Sequence, residues 1–522
     1  MFRPLWLAIF LLITPAMAQD VAQDGSQTGT PPDMAQVEQA WARGDFVFVR
    51  KGLAYLAQEN GSALAQYRYG RVLLEGRGGP ADPESAKLWL EKAVAQNNAD
   101  AATLLGQILL TRGPARDATR AATLFEAAAA RGKTQAQYFL GRLYTKGDGV
   151  PMDATTAFNW FLAAAEDGNK DAQYALSQAY AEGRGVAQSA PDALRWLEEA
   201  ASNGVPDAQY NLAVAYDTGR GATKSATAAL DNYRRAAEAG HVLAQRALGT
   251  KYLQGTQDFD PNPTEALRWL QAAAQAGDPG AMSNLGFGYT QGTVLPRDDA
   301  LAAQWYQRAS DRGLARATLA LARMVETGRG VQADPAGSFA LYQLAVEQGS
   351  TLAAQLLGQR TLAGDFDATL APHDAVGWVA VLLDGDQSDA AQVWLTTQAD
   401  AGVRPAQAAL GQWLLTQESR ATDAIRWLER AALAGHVPSQ YRLGDAYSTG
   451  AGAPLDYVQA HAWMNIAAAS GHIKARETRS LLNDLMTPDD VAKAQTIARE
   501  FFERADAQVP QTSQTVTQSD TK

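Results

Sequence analysis

Apolar and polar positions repeat as a unit along this chain. In Ala136-Gln-Tyr-Phe-Leu-Gly141, residues Ala136, Leu140, Gly141 and Tyr144 fall at i, i+4, i+5 and i+8, one face of a helix, and Gly147-Asp-Gly149 supplies its stop. Ala157, Trp160 and Ala164 then mark a second helix closed by Gly168. The hexad recurs at Ala65, Ala208 and Ser439, with weaker copies at Ala101, Ala172, Ala244, Ala281, Ala317, Ala353 and Ala406. Successive starts lie 35 to 37 residues apart, except for one interval of 53 and one of 33. A bulky apolar residue follows nine of the eleven starts by 24 or 25 positions, as Trp89, Phe125, Trp160, Trp196, Trp269, Trp305, Leu341, Trp378 and Trp463. Asp82-Pro83-Glu84, Pro191-Asp192 and Asn262-Pro263-Thr264-Glu265 carry the N-cap and first-turn chemistry that starts a second helix.

One such hairpin cannot bury its apolar face alone, so the pattern predicts stacking. The expected fold is all-α: a right-handed α/α solenoid of about eleven 36-residue helix-turn-helix repeats with helical caps. Residues 34–64 are expected to form N-terminal capping helices and 65–402 the repeat array. The interval of 53 residues is read as a half-unit defect at 390–402 around Trp394, expected to divide the array into two blocks near Gly402. The last repeats then occupy 403–472, and capping helices 473–505, the second opened by Thr487-Pro488-Asp489-Asp490.

The run Ala-x-x-Leu-Gly-x-x-Tyr-x-x-Gly-x-Gly-Val, followed by Ala-x-x-Trp-x-x-x-Ala-Ala-x-x-Gly, resembles the Sel-one-like repeat, a relative of the tetratricopeptide repeat. Ala136–Gly168 and Ala172–Gly204 match nearly every position, and the likeness spans residues 36–503. The segment 460–503 also resembles the C-terminal end of exported bacterial members. The resemblance implies a superhelical scaffold that holds protein partners, used in envelope signalling, assembly or quality control, with no shared catalytic apparatus. A Cys-rich branch of that family is associated with β-lactams, and this chain has no cysteine.

Composition changes the picture in two respects. With 45 Lys+Arg against 56 Asp+Glu the chain carries a formal charge of -11, which argues against a nucleic-acid footprint. The absence of Cys removes disulfide frameworks, thiolate metal sites and thiol nucleophiles together. At the N-terminus, Arg3, the apolar run Leu5–Ile13 and Pro15-Ala16-Met17-Ala18 have the layout of a signal peptide, residues 1–18, with cleavage expected before Gln19. No later segment approaches 18 consecutive apolar residues, so an exported periplasmic or secreted product without membrane insertion is expected. Residues 19–33 and 506–522 are polar and are expected to be disordered tails.

Catalytic chemistry is sparse. The Gly-x-Gly pairs at 76/78, 147/149, 183/185, 219/221, 328/330 and 450/452 follow helices rather than strands and lack Lys-Ser/Thr, so they read as turns. His241, His373, His436, His461 and His472 lack ligand spacing, so neither a metal site nor a cofactor is expected. Asp384-Gly-Asp386-Gln-Ser388-Asp389 resembles the start of a calcium loop but has no Gly at its sixth position, and reads better as an acidic helix N-terminus. Asn60-Gly-Ser62 is a formal sequon in a turn.

At 100° per residue, positions +4, +5 and +8 of the hexad helix cover about 40° to 140° and are apolar, leaving +3, +6 and +10 between about 240° and 300°. That second arc is expected to line a concave surface on which a protein or peptide partner is held, by Arg68, Arg71, Arg142, Asn211, Asn284, Arg323 and Arg442. The expected function is a non-enzymatic exported scaffold or adaptor. The alternative is a protein that binds or hydrolyses cell-wall glycan or β-lactam, with Trp413 and Phe287 stacking on sugars. Partner identity and oligomeric state are left open by the sequence.

Overall fold

The computed structural model describes residues 31–111, 116–255, 260–365 and 372–507. The expected signal peptide 1–18, most of the 19–33 tail and residues 508–522 lie outside the described residues. Every regular element among the described residues is a helix, and the two helices of each repeat pack against each other. The chain divides into two compact units, residues 1–276 and 277–522. Each is an α/α solenoid of stacked hairpins.

In the first unit, helices Met34–Arg43 and Phe46–Glu59 form the cap. Asp33 closes the first of them as a capping box with Gln36. From Ala63 the repeats follow, most of them built from two helices of about thirteen residues. The predicted starts are present: Asp82 accepts from the Ser85 N–H at 3.0 Å and Asn262 from the Glu265 N–H at 3.1 Å. The core lies between the helices of each hairpin and between successive hairpins. Leu105, Phe125 and Leu140 belong to one buried cluster, Phe158, Phe161, Leu176 and Trp196 to the next.

The hexad glycine sets how closely a hairpin closes. A Cβ on Gly141 would stand 2.6 Å from the Phe161 ring, and Gly70, Gly106, Gly249 and Gly286 meet Leu90, Phe125, Leu270 and Tyr306 in the same way. The ring or branch of the second helix therefore fills the notch where the first has no side chain. Gly185, the second glycine of its loop, has a different duty. Its φ is 72°, and a methyl there would overlap the carbonyl of Ala154, at the second-helix start one repeat earlier. The turn reading of the Gly-x-Gly pairs holds, and the turn also spaces neighbouring repeats.

In the second unit the extra helix of the half-unit packs against the helices on both sides of it. Helix Pro372–Ala380 is short, and Ser388–Asp400 follows it directly. One buried cluster runs Val376, Val379, Leu395, Ala399, Ala406, Leu410 and Trp427, passing through Gly402 without a gap. The reason lies in Ala391, Leu395 and Ala399, spaced i, i+4 and i+8, which give the extra helix an apolar face for Arg404–Leu415. The compact division of the chain falls at Ala276/Gly277 instead of near Gly402. Helices Ile473–Asn483 and Pro488–Ala507 close the unit, both packed on Tyr457–Ala469.

Candidate partner-binding surface

The first helices present the arc that the sequence singled out, and its residues meet different fates. In the first unit, Arg68 reaches back to Glu38 of the cap at 2.9 Å, and Arg71 pairs with Glu75 at 2.7 Å along its own helix. Arg142 lies over the Tyr138 and Phe139 rings, 5.7 and 5.5 Å from their centroids. Asn211 donates to the Tyr174 hydroxyl at 2.8 Å, one repeat earlier. In the second unit, Asn284 accepts from Arg316 at 3.2 Å, while Arg323 and Arg442 are exposed. Arg68 and Asn284 thus tie neighbouring elements together, and Arg142 and Asn211 line separate cavities.

Two cavities in the first unit give Arg142 and Asn211 a setting. The first, of about 520 Å³, has Phe158 and Phe161 in its floor, Arg142, Lys146 and Arg184 as cations, and Asp171 and Asp207 as anions. The second, of about 560 Å³, places Asn211 and Arg220 beside Leu194 and Leu197. Gln178 lines both, so the two form one run across three successive repeats. Burial raises the Tyr138 and Tyr174 hydroxyl pKa values above the usual phenol range, so both are neutral hydrogen-bonding groups at the cavity wall. An apolar floor with charges of both signs at its rim suits a peptide chain, whose backbone and mixed side chains need both.

Two recurrent groups escaped the sequence reading. Gln at the second hexad position is buried and caps a carbonyl at the end of the preceding second helix: Gln173 to Ala165 O at 3.4 Å, Gln209 to Ala201 O at 3.1 Å, Gln407 to Ala399 O at 3.0 Å and Gln440 to Ala432 O at 3.1 Å. The signal was its repetition in Ala-Gln-Tyr. His241 and His436 stand three residues before a hexad start and His472 at the start of the first closing helix, and each accepts an N–H as an N-cap, from Ala244, Ser439 and Ala475. Among the described residues no group of three or more His, Cys, Asp or Glu is placed to hold a metal. Asp384 accepts the Trp413 indole N–H at 3.0 Å, which ties that ring into the packing, whereas Phe287 is exposed.

Stacked two-helix repeats with a polar, grooved first-helix face define a helical-repeat scaffold. The Sel1 repeat model matches ten copies, eight running without a gap over residues 63–350 and two over 404–472. The chain belongs to the Sel1 repeat family. The unit begun at Ala353 is not among the ten, consistent with its shortened second helix Pro372–Ala380. A crystal structure of c5321, described as a protective antigen present in uropathogenic Escherichia coli strains displaying an SLR fold, is 25% identical. It covers 94% of this chain and 100% of its own, with a TM-score of 0.56. A Sel1 repeat protein from Oxalobacter formigenes is 28% identical over 47% of this chain and 100% of its own, with a TM-score of 0.44. Chitin synthase regulatory factor 3 of Schizosaccharomyces pombe is 31% identical over 134 residues, 25% of this chain and only 14% of the length of that relative. Sel1 repeats serve in general as protein-interaction scaffolds. No helix among the described residues is long and apolar enough to cross a membrane.

Proposed function

We propose that this protein is a non-enzymatic, exported scaffold that holds a protein or extended peptide against the first-helix face of residues 134–221, in envelope signalling, assembly or quality control. The observation that carries the reading is the run of two adjoining cavities, about 520 and 560 Å³, with cations at Arg142, Lys146 and Arg184 and anions at Asp171 and Asp207 around an apolar floor. Such a rim selects a partner by charge pattern while the floor supplies apolar area. The word regulatory in the name of the yeast relative accords with a scaffold role. Export rests on the signal-like segment, and mass spectrometry of the mature N-terminus tests it: Gln19 is the expected first residue.

The binding test is crosslinking in cells, with the wild type and the Arg142→Glu/Lys146→Glu double variant compared at equal expression. Both side chains lie at the rim, so the variant should fold normally and lose its crosslinked partner. Retention of the same partner at the same yield would reject this surface.

A further inference from the structure

A third cavity, of about 610 Å³, lies between the last repeat and the closing helices. It shares no residue with the run at 134–221. Its polar lining comes from three helices: His461 and Asn465, Arg479 and Asn483, and Gln495. Met486 and Val491 form an apolar side.

Three observations set it apart from ordinary packing. His461 is 2% exposed, at a register filled by Phe158, Leu194, Leu230 and Phe339 in four other repeats and by Lys87 and Thr123 in two. Its Nε2 donates to Asn483 Oδ1 at 2.9 Å, while its Nδ1 is buried without a partner, a cost that an apolar residue would avoid. Arg479 donates to the Asn465 side-chain oxygen Oδ1 at 2.6 Å and makes no salt bridge with a described carboxylate. Many arginines elsewhere in the chain lie beside an acid, as at Arg329–Asp299 and Arg360–Glu326. Finally, both asparagine oxygens are engaged, which leaves their amide N–H groups as donors beside the guanidinium. Burial keeps the His461 pKa below the usual imidazole range, with Arg479 adding to the effect against the Asn483 hydrogen bond, so the ring is neutral and Arg479 is the charge of the lining.

We propose that this cavity binds a carboxylate with an apolar side chain beside it, the carboxylate on Arg479 and the asparagine amides and the apolar group against Met486 and Val491. A planar guanidinium with flanking amide donors matches a carboxylate in geometry as well as charge. The volume exceeds what a bare small anion fills, which favours the C-terminal residue of a peptide.

Calorimetric titration of the full chain with N-acetyl-alanyl-leucine, with its C-terminal amide, and with 4-methylpentanoate tests the assignment. The acid should bind saturably and the amide at least about tenfold more weakly. Weaker binding of 4-methylpentanoate than of the peptide supports a peptide terminus, and equal binding supports a free acid as the source. Arg479→Gln should lose about tenfold in affinity for the acid with an unchanged melting temperature. His461→Phe should melt higher, because the orphaned nitrogen is gone, yet bind less tightly, because Asn483 is no longer held in place. Equal binding of acid and amide, no saturable binding of either acid, or wild-type affinity in Arg479→Gln would overturn the proposal.

Discussion

Two glycines of the same backbone class separate local strain from contact between repeats. Gly168 has φ 83° and Gly185 φ 72°, both in the left-handed region that alanine resists. A methyl added at Gly168 meets no atom within 4 Å, so Gly168→Ala should cost only the conformational strain, about 1 kcal/mol. At Gly185 the methyl would overlap the Ala154 carbonyl and stand 2.9 Å from the Thr155 nitrogen. Both are backbone atoms that no rotamer change moves, so the repeats must part. Overpacking of that kind costs about 1–3 kcal/mol beyond the shared strain, so Gly185→Ala should destabilise by about 2–4 kcal/mol. Urea unfolding followed by far-UV circular dichroism and tryptophan fluorescence gives the totals, and hydrogen exchange gives the place, since a repeat array need not unfold in one step. Asp153 accepts the Thr155 and Thr156 N–H groups at 3.0 and 3.1 Å, and these amides should lose protection in Gly185→Ala but keep it in Gly168→Ala. Equal destabilisation by the two substitutions, with unchanged exchange at Thr155 and Thr156, would refute the spacing role of the loop glycine.

The buried glutamines give a second comparison. Gln173 is engaged at both ends, by Ala165 O and by the Asn203 amide at 2.8 Å, whereas Gln209 Oε1 has no partner. Gln173→Met should therefore cost about 1–3 kcal/mol and Gln209→Met clearly less in the same urea assay, because the latter also removes an unsatisfied oxygen. For pH, burial and then Arg404 hold the His436 pKa below the usual imidazole range. The unfolded chain accordingly takes up the proton first, so this contribution is present at neutral pH, declines as pH falls through about 6.5, and stops declining only below the lower folded value. Protonation also removes the Nδ1 acceptor that caps Ser439, and His436→Asn, a cap that does not titrate, should flatten the melting temperature between about pH 7 and 5.

Much of the architecture was legible because a helix hairpin declares itself through local signals: periodic apolar residues, acids or Asn at N-caps, glycine at C-caps. Side-chain register was less so. The Trp slot was read as the core position, yet Trp160 and Trp305 are only half-buried, while Phe161 and Tyr306, one residue on, are 7% and 6% exposed. A 3.6-residue period fixes a face to within about one position, and the hexad glycine decides which neighbour enters the notch. The packing of the half-unit was hard to read for a related reason. Counting hairpins makes an odd helix look like a break, whereas burial asks only whether it has an apolar face toward both neighbours, and Ala391, Leu395 and Ala399 supply one.

The same reasoning shows where function must be sought in a chain of this kind. Positions that most repeats fill alike are accounted for by stacking: alanine at the hexad start, glycine in the notch, glutamine over the preceding carbonyl. A residue whose neighbours along the ladder do something else needs a separate cause. Arg142 shares its sixth offset with Arg71 and Arg323, and what sets it apart is the cavity it lines. His461 is such a residue, a buried ring with a bare nitrogen at a register that other repeats fill with Phe, Leu or Ala, or with Lys87 and Thr123. Stability alone selects against that exchange, because it adds an unsatisfied polar atom to a core that tolerates phenylalanine. What remains to favour it is the hydrogen bond that fixes Asn483 beside Arg479, which has value only when something occupies the cavity they line.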